Sequence, residues 1–322
     1  MSGEVRWRRV WPRRPGDPSA GLVLEGRDGR GGVVAGTADG PGHPVRVRTV
    51  DPGLPGLAGL PGVLVGHRYG KRAVLRREAT FVKLASARAT RTALDRHAAL
   101  ARALGRPGDP ALVEVLAARD GVLELAAAEG HDLSSTLDSG DLTACERDGE
   151  RTGAALAALA TARTRDLPVH DAAAEVAVLE RWVADAVAFG LAPPALAARA
   201  AEAASALGSA PDGCGEPLVP AHRDLHDGQV LLGERVTFLD VDTAALADPA
   251  LDAANLLAHL DLAAARGRRR EAAALERGVR RGLPDLDPAR VAVLRRVARC
   301  RLVAVHAFRG LPPAVAGELL AA

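Results

Sequence analysis

The chain changes its hydrophobic rhythm part-way along. Up to about residue 130, apolar and polar positions alternate over short runs such as GLVLEG (21–26), GGVVAG (31–36) and PVRVRTV (44–50). Period-two runs broken by Gly and Pro predict small strands joined by turns. DPGLPGLAGLPG (51–62) reads as a connector. VLVG, KRAVLRR and ATFVKLA, within 63–85, predict three further strands, with Gly66 and Gly70 bracketing the first turn. ARATRTALDRHAALARALG (87–105) has helical spacing and a stop at Gly105. LVEVLAARDGVLELAAAEG (112–130) predicts a hairpin turning at Asp120–Gly121. Beyond Gly130 the apolar period becomes helical over 134–208, with breaks near Leu167–Pro168 and Pro193–Pro194. A loop and a hairpin, QVLLGERVTFLD (229–240), turning at Gly233–Glu234, interrupt the helices, which resume from Ala250 to the end.

Composition narrows the class. The 322 residues are 48% hydrophobic, enough for a large core and two lobes. A net charge of +2 compels no nucleic-acid or acidic-membrane partner, and 2% aromatics leaves few surfaces on which bases could stack. Cys145, Cys214 and Cys300 are odd in number, far apart and free of any CxxC spacing, which predicts inert thiols in a reduced, cytoplasmic protein. The basic N-terminus is followed by no apolar segment, so it is not read as a secretory signal, and no run reads as a membrane span.

Rationing marks the chemistry. The chain contains one glutamine, Gln229, and two lysines, Lys71 and Lys83. Codon bias toward Ala, Arg and Gly accounts for part of this scarcity, and the survivors resisted it. Gln229 lies in AHRDLHDGQVLL (221–232), beside His222, Asp224, His226 and Asp227. The hairpin that follows returns the chain toward its start and brings Asp240 near Asp224 and Gln229, with Asp242 two residues on as a second ligand or a loop support. A carboxylate beside an amide carbonyl suits a hard divalent cation such as Mg²⁺. A further carboxylate can orient a hydroxyl or accept its proton. Other readings stand beside this one: an ordinary polar loop, or a zinc site from His222, Asp224 and His226. His226 and Asp227 either touch an acceptor or cap the turn. GHRYGKR is not a Walker A loop, having three residues between its glycines and Arg after Lys.

HRDLHDGQVLL followed by TFLDVDTAALADPALDAANLL closely resembles the aminoglycoside phosphotransferase family. That family's pattern runs His-x-Asp-Leu-His-x-Gly-Asn, a hairpin, then Ile-Asp and a closing Asp-Pro-x-x-Asp. The resemblance covers roughly residues 63 to 310. It implies an α+β, protein-kinase-like two-lobed fold: a small antiparallel-β N-lobe and a larger, mainly helical C-lobe. Residues 1–60 would be a β-rich extension of the small lobe, 61–130 the N-lobe and 131–322 the C-lobe. It also implies ATP and Mg²⁺ as cofactors and a small-molecule hydroxyl acceptor: an aminoglycoside, a sugar or an amino alcohol. Antibiotic resistance is one biological setting and metabolism another.

Asp224 would then be the catalytic aspartate facing the acceptor, and Asp240 the main metal ligand. Gln229 stands where the family has Asn, one methylene longer, as the second ligand. Lys83 would pair with the α- and β-phosphates, and Gly66 and Gly70 would shape the loop over them. Glu124, Leu125 and Ala126, within 123–130, would form the hinge for adenine. His222, Asp242, Asp248 and Asp252 would support the loops. The lysine's usual glutamate partner on the following helix is missing: His97 aligns there, and Asp95, two residues away, faces about 200° around the helix. The competing reading is a weak or inactive relative that binds nucleotide or a protein partner without transferring phosphate.

Overall fold

The computed structural model describes residues 5–106, 108–209, 217–283 and 286–321. Cys214 lies outside the described residues. The alternating runs at the start become β1 (Arg6–Pro12), β2 (Leu22–Arg27), β3 (Val33–Ala38) and β4 (Arg46–Arg48), an antiparallel sheet in that order. A second sheet holds β5 (Val63–Arg68), β6 (Arg72–Arg76), β7 (Thr80–Leu84), β9 (Val115–Arg119) and β10 (Val122–Ala126), ordered β5-β6-β7-β10-β9. The short strand β8 (Ala111–Leu112) is not part of it: it pairs in parallel with a strand of the later hairpin. Helix α1 (Ala87–Ala103) follows β7. Ser86 caps it by accepting the Ala89 N–H at 3.2 Å.

From residue 131 helices dominate. β11 (His131–Asp132) leads into α2 (Leu133–Ser139), α3 (Leu142–Thr161), α4 (Ala172–Ala188) and α5 (Leu196–Ser209). Asp132, Asp141 and Asp171 cap α2, α3 and α4, each carboxylate accepting amide protons that the first turn leaves unpaired. Then come β12 (Val219–Ala221), β13 (Val230–Leu232), β14 (Val236–Phe238) and β15 (Ala245–Ala247), and finally α6 (Leu251–Ala265), α7 (Arg269–Gly282), α8 (Pro288–Ala307) and α9 (Pro313–Ala321). Gly149 on α3 and Gly278 on α7 let these helices touch backbone to backbone, because a Cβ at either would overlap a carbonyl of the other helix. No described helix is long and apolar enough to cross a membrane.

With few aromatics, the core is built of Leu, Val and Ala, centred on Leu256, Leu257, Leu260 and Leu275 of the helical lobe. Leu22, Leu24 and Ala38 of the first sheet belong to that same core. The sheet also meets the small lobe, where Glu25 accepts the His67 N–H at 2.6 Å. Its Gly16 N–H reaches Asp185 on α4 at 2.5 Å. The first sheet therefore touches both lobes.

Candidate active site

Strand β12 delivers the chain into His222-Arg223-Asp224, and the loop is held against its own preference. Arg223 (φ +72°) and Asp240 (φ +57°) are the two described non-glycine residues in the left-handed region, at a cost of about 1–2 kcal/mol each. Buried Asp252 holds the first of them. One carboxylate oxygen accepts the His222 N–H at 2.6 Å and the other the Arg223 N–H at 2.7 Å. Asn255 Nδ2 donates to the Arg223 carbonyl at 3.0 Å, and the Thr243 hydroxyl donates to the His222 carbonyl at 2.9 Å. The His222 ring donates from Nε2 to the Leu239 carbonyl at 2.6 Å, and its Nδ1 faces the Asp224 N–H at 3.4 Å. Leu225 is fully buried, whereas its neighbour Asp224 is exposed. The loop is thus fastened on one side and presents Asp224 on the other.

A deeper polar chain backs this loop. Arg301 donates to Asn255 Oδ1 at 2.7 Å and to Glu175 Oε1 at 2.5 Å, and His170 Nε2 lies 2.8 Å from Glu175 Oε2. Burial alone would raise the Glu175 carboxyl, but Arg301 and His170 outweigh it and hold it below its usual range. Asp248 accepts Arg290 Nε at 2.6 Å and the Ala250 N–H at 2.9 Å, at the start of α6. The structure therefore places His222, Asp248 and Asp252 where they hold backbone.

Hairpin β13–β14 carries the chain from Gln229 to Asp240, and the Leu239 N–H donates to the Gln229 carbonyl at 2.9 Å. Gln229 is 6% exposed, and its Oε1 has no hydrogen-bond partner among the described residues. A buried carbonyl oxygen left unbonded is unfavourable unless something else meets it, and a hard cation is suited to do so. Lys83 Nζ lies 2.6 Å from Asp240 Oδ1 and 3.2 Å from Asp242 Oδ1, and Arg72 lies 3.8 Å from Asp240 Oδ2. Burial works against every charge here. For Asp240 it is outweighed by Lys83 and Arg72, so the carboxyl is held below its usual range. For Asp242 burial prevails, and the charge of Asp240 beside it pushes the carboxyl up further. Lys83, in spite of burial, is raised by the two carboxylates. One ionised carboxylate and one amide oxygen fit Mg²⁺, which binds few protein ligands and keeps sites for phosphates and water. Among the described residues no cluster of three His, Cys, Asp or Glu is arranged to hold a metal, and both nitrogens of His222 are committed, so the zinc reading gains no support.

The question of the helix partner for Lys83 resolves against both candidates. Asp95 is exposed and makes no contact with it. His97 donates from Nε2 to the Val113 carbonyl at 2.8 Å, and burial pushes its imidazole down. The partners of Lys83 are Asp240 and Asp242. Arg96 of α1 joins from the side, donating to the Asp242 carbonyl at 2.7 Å.

The β5–β6 turn stands beside this centre. Gly70 sits in it at φ +70°, and Gly66 lies where the strand register slips. The turn is anchored from outside its own sheet. Asp51 Oδ2 accepts the Gly70 N–H at 2.7 Å and faces His67 Nε2 at 2.8 Å, while Glu25 takes the His67 N–H. Glu124, Leu125 and Ala126, expected in the hinge, are the last three residues of β10. They lie between β7 and β9, and Glu124 is occupied by Arg77 at 2.9 Å. At the end of the strand the Ala126 and Ala127 N–H groups donate to the Glu114 and Ala79 carbonyls at 2.9 Å, and the chain then runs on to β11. Cys145 and Cys300 are buried, and burial pushes both thiols up to about 11.

Sequence reasoning missed Asn255, Glu175, Arg301, Glu25 and Asp51. Asn255 carried a signal of the same kind as Gln229, since it is the only asparagine in the chain. The others are unremarkable in sequence, and only tertiary packing brings them to the loops.

A two-lobed fold with a fastened aspartate loop, a following aspartate and a strand lysine defines a kinase-like phosphotransferase. Residues 63–297 match the model of the phosphotransferase enzyme family, and the chain belongs to that family. Solved structures with similar folds include the GDP complex of wild-type aminoglycoside 2'-phosphotransferase-IIIa (TM-score 0.56, 16% identity, covering 80% of this chain and 89% of that one). Aminoglycoside phosphotransferase APH(3'')-Id from Streptomyces rimosus is also similar (TM-score 0.53, 19% identity, covering 73% and 90%). So is a choline/ethanolamine kinase family protein from Mesorhizobium loti (TM-score 0.51, 16% identity, covering 83% and 89%). No curated protein matches the chain.

Proposed function

We propose that the protein transfers the γ-phosphate of ATP to a hydroxyl of a small polar molecule, with Mg²⁺. One observation carries the reading: Asp240 pairs with Lys83, and the hairpin sets Gln229, whose Oε1 is unbonded, opposite Leu239, the residue before Asp240, while the preceding loop exposes Asp224. Similar folds solved with GDP, or with ADP and streptomycin, support a nucleotide and a small acceptor. Asp240 and Gln229 would hold Mg²⁺, which neutralises charge on the phosphates when bound. Lys83 then has its two carboxylates to leave and phosphate oxygens to meet. Asp224 accepts a hydrogen bond from the attacking hydroxyl and takes its proton as the bond forms. Residues 123–130, the end of β10 and the segment after it, receive adenine. The division at residues 60 and 130 belongs to the same proposal, with residues 1–60 as a layer fastening the phosphate turn from the helical lobe's side.

A second reading, nucleotide binding without efficient transfer, draws on His97, whose bond to Val113 leaves Lys83 without a carboxylate on α1. Mg²⁺-dependent ATP hydrolysis in the absence of acceptor separates the two. For a transferase, slow turnover falls by roughly 10²–10⁴ in Asp224→Ala while nucleotide binding persists. Binding with no turnover in either form supports the second reading.

A further inference from the structure

Asp224 has cationic neighbours that the transfer of a phosphate does not use. Arg309, just beyond α8, lies within electrostatic range of Asp224, Glu25, Arg9 and Arg266. Arg68, the last residue of β5, lies within range of Arg309 and Arg72, and its guanidinium sits 5.1 Å over the Trp11 ring. Among the described residues, neither Arg68 nor Arg309 makes an ion pair or a side-chain hydrogen bond, and the Nε of each is shut away from solvent. Arg266 meets His306, a neutral partner, at 3.2 Å. Of the carboxylates nearby, Asp224 is exposed and faces the acceptor, and the others are engaged elsewhere or weakened. Glu25 holds the His67 N–H and lies 3.5 Å from Arg9, and burial raises the Asp227 carboxyl.

Burying an unpaired guanidinium is unfavourable, and the surrounding cations add to it. Burial first, then Arg9 and Arg266, bring Arg309 down to about 10, and burial with Arg72 and Arg309 does the same to Arg68. An oxyanion would relieve both, and guanidinium is the side chain that binds phosphate or carboxylate in two-pronged fashion. Two sources of oxyanion exist, the nucleotide and the acceptor. The nucleotide side already has Lys83 and Arg72 at Asp240, whereas Arg309 stands on the Asp224 side.

We propose that the acceptor carries an oxyanion, a phosphate or carboxylate group, bound by Arg309 and Arg68 while its hydroxyl faces Asp224. This rests on the reading of Asp224 as the acceptor-facing aspartate. A polycationic acceptor is repelled by the same cluster.

The test uses the full chain with ATP and Mg²⁺ and follows ADP release with glucose 6-phosphate, glycerate, glucose, glycerol and kanamycin. The expected result is a kcat/KM at least roughly tenfold higher for an anionic member than for its uncharged partner. That preference collapses about tenfold in Arg309→Gln and in Arg68→Gln and survives in Arg309→Lys, while the KM for ATP stays within about twofold in Arg309→Gln. Equal or better use of glucose, glycerol or kanamycin overturns the proposal. An Arg309→Gln variant that weakens ATP as much as the acceptor also overturns it, because the cluster then serves the γ-phosphate. Thermal stabilisation by Mg·ADP separates the failures. If the native chain shows none, the phosphotransferase reading falls and takes this inference with it. Stabilisation without anion preference sinks the inference alone.

Discussion

Replacing Asp252 by alanine removes the acceptor of two consecutive amide protons, those of His222 and Arg223. Both bonds are short, 2.6 and 2.7 Å, and Asp252 is 5% exposed, so water is a poor substitute. Each stranded buried donor costs about 1–3 kcal/mol, and about 1.5 kcal/mol apiece gives roughly 3 kcal/mol for the pair. The left-handed Arg223 adds to the effect, since the loop then has a more relaxed backbone available. At about 2 cal/mol/K of unfolding entropy per residue, 3 kcal/mol lowers Tm by about 4 °C in a chain of 322 residues. Function should suffer more than stability, because a displacement of about 1 Å at the reacting centre costs on the order of 10²-fold. Thermal unfolding and Mg²⁺-dependent ATP hydrolysis, measured on the same preparations, report the two effects. The expected outcome is a Tm drop of about 4 °C, hydrolysis down by about 10², and Mg·ADP binding close to native. An alanine variant with native Tm and native hydrolysis would refute the claim that these two bonds hold the loop.

Three further outcomes follow from the same geometry. In Gln229→Asn the amide oxygen is retained and Mg²⁺-dependent turnover persists in part, whereas Gln229→Ala loses most of it. A Mg²⁺ titration of all three forms gives the ranking, and equal activity removes Gln229 from the metal site. Asp51→Asn weakens the acceptor for Gly70 and His67 and raises the KM for ATP by about tenfold with a smaller effect on turnover; an unchanged KM separates the first sheet from the phosphate turn. The Lys83–Asp240 pair makes stability depend on pH in a definite sense. Asp240 is depressed below 3.8, so its contribution is present above that value and is lost as pH falls through the lowered one; Lys83 is raised above 10.5, so its contribution is present below that value and is lost as pH rises through the raised one. Denaturant unfolding from pH 3 to 11 should therefore show a shallower acid and alkaline dependence in Lys83→Met than in the native protein, and an unchanged profile contradicts the pairing.

Much of the fold was legible because local pattern and tertiary context agreed. The period-two runs at 63–85 became β5, β6 and β7, and the helical spacing of 87–105 became α1 with its stop before Gly105. The cores of α6 and α8 followed from apolar residues the chain had no other way to bury. Asp240 and Gln229 were legible as a pair because a short hairpin joins them, so proximity in sequence fixed proximity in space. Two things were not legible. The companions of Lys83 were sought on α1, whereas they come from 240–242, about 160 positions later in the chain. The tie of Glu25 and Asp51 to the phosphate turn depends on how one sheet packs against another, and two carboxylates among 40 acidic residues carry no mark of it.

The central claim is that nucleotide and metal meet at Asp240, and thermal unfolding with ATP, with and without Mg²⁺, tests it in native protein and in Asp240→Asn. A ligand at about 100 times its dissociation constant stabilises by about 2.7 kcal/mol, or about 4 °C for this chain length. The account predicts a Mg²⁺-dependent rise of that size in the native protein and none in Asp240→Asn. No rise at millimolar ATP, or the same rise in both proteins, would contradict it.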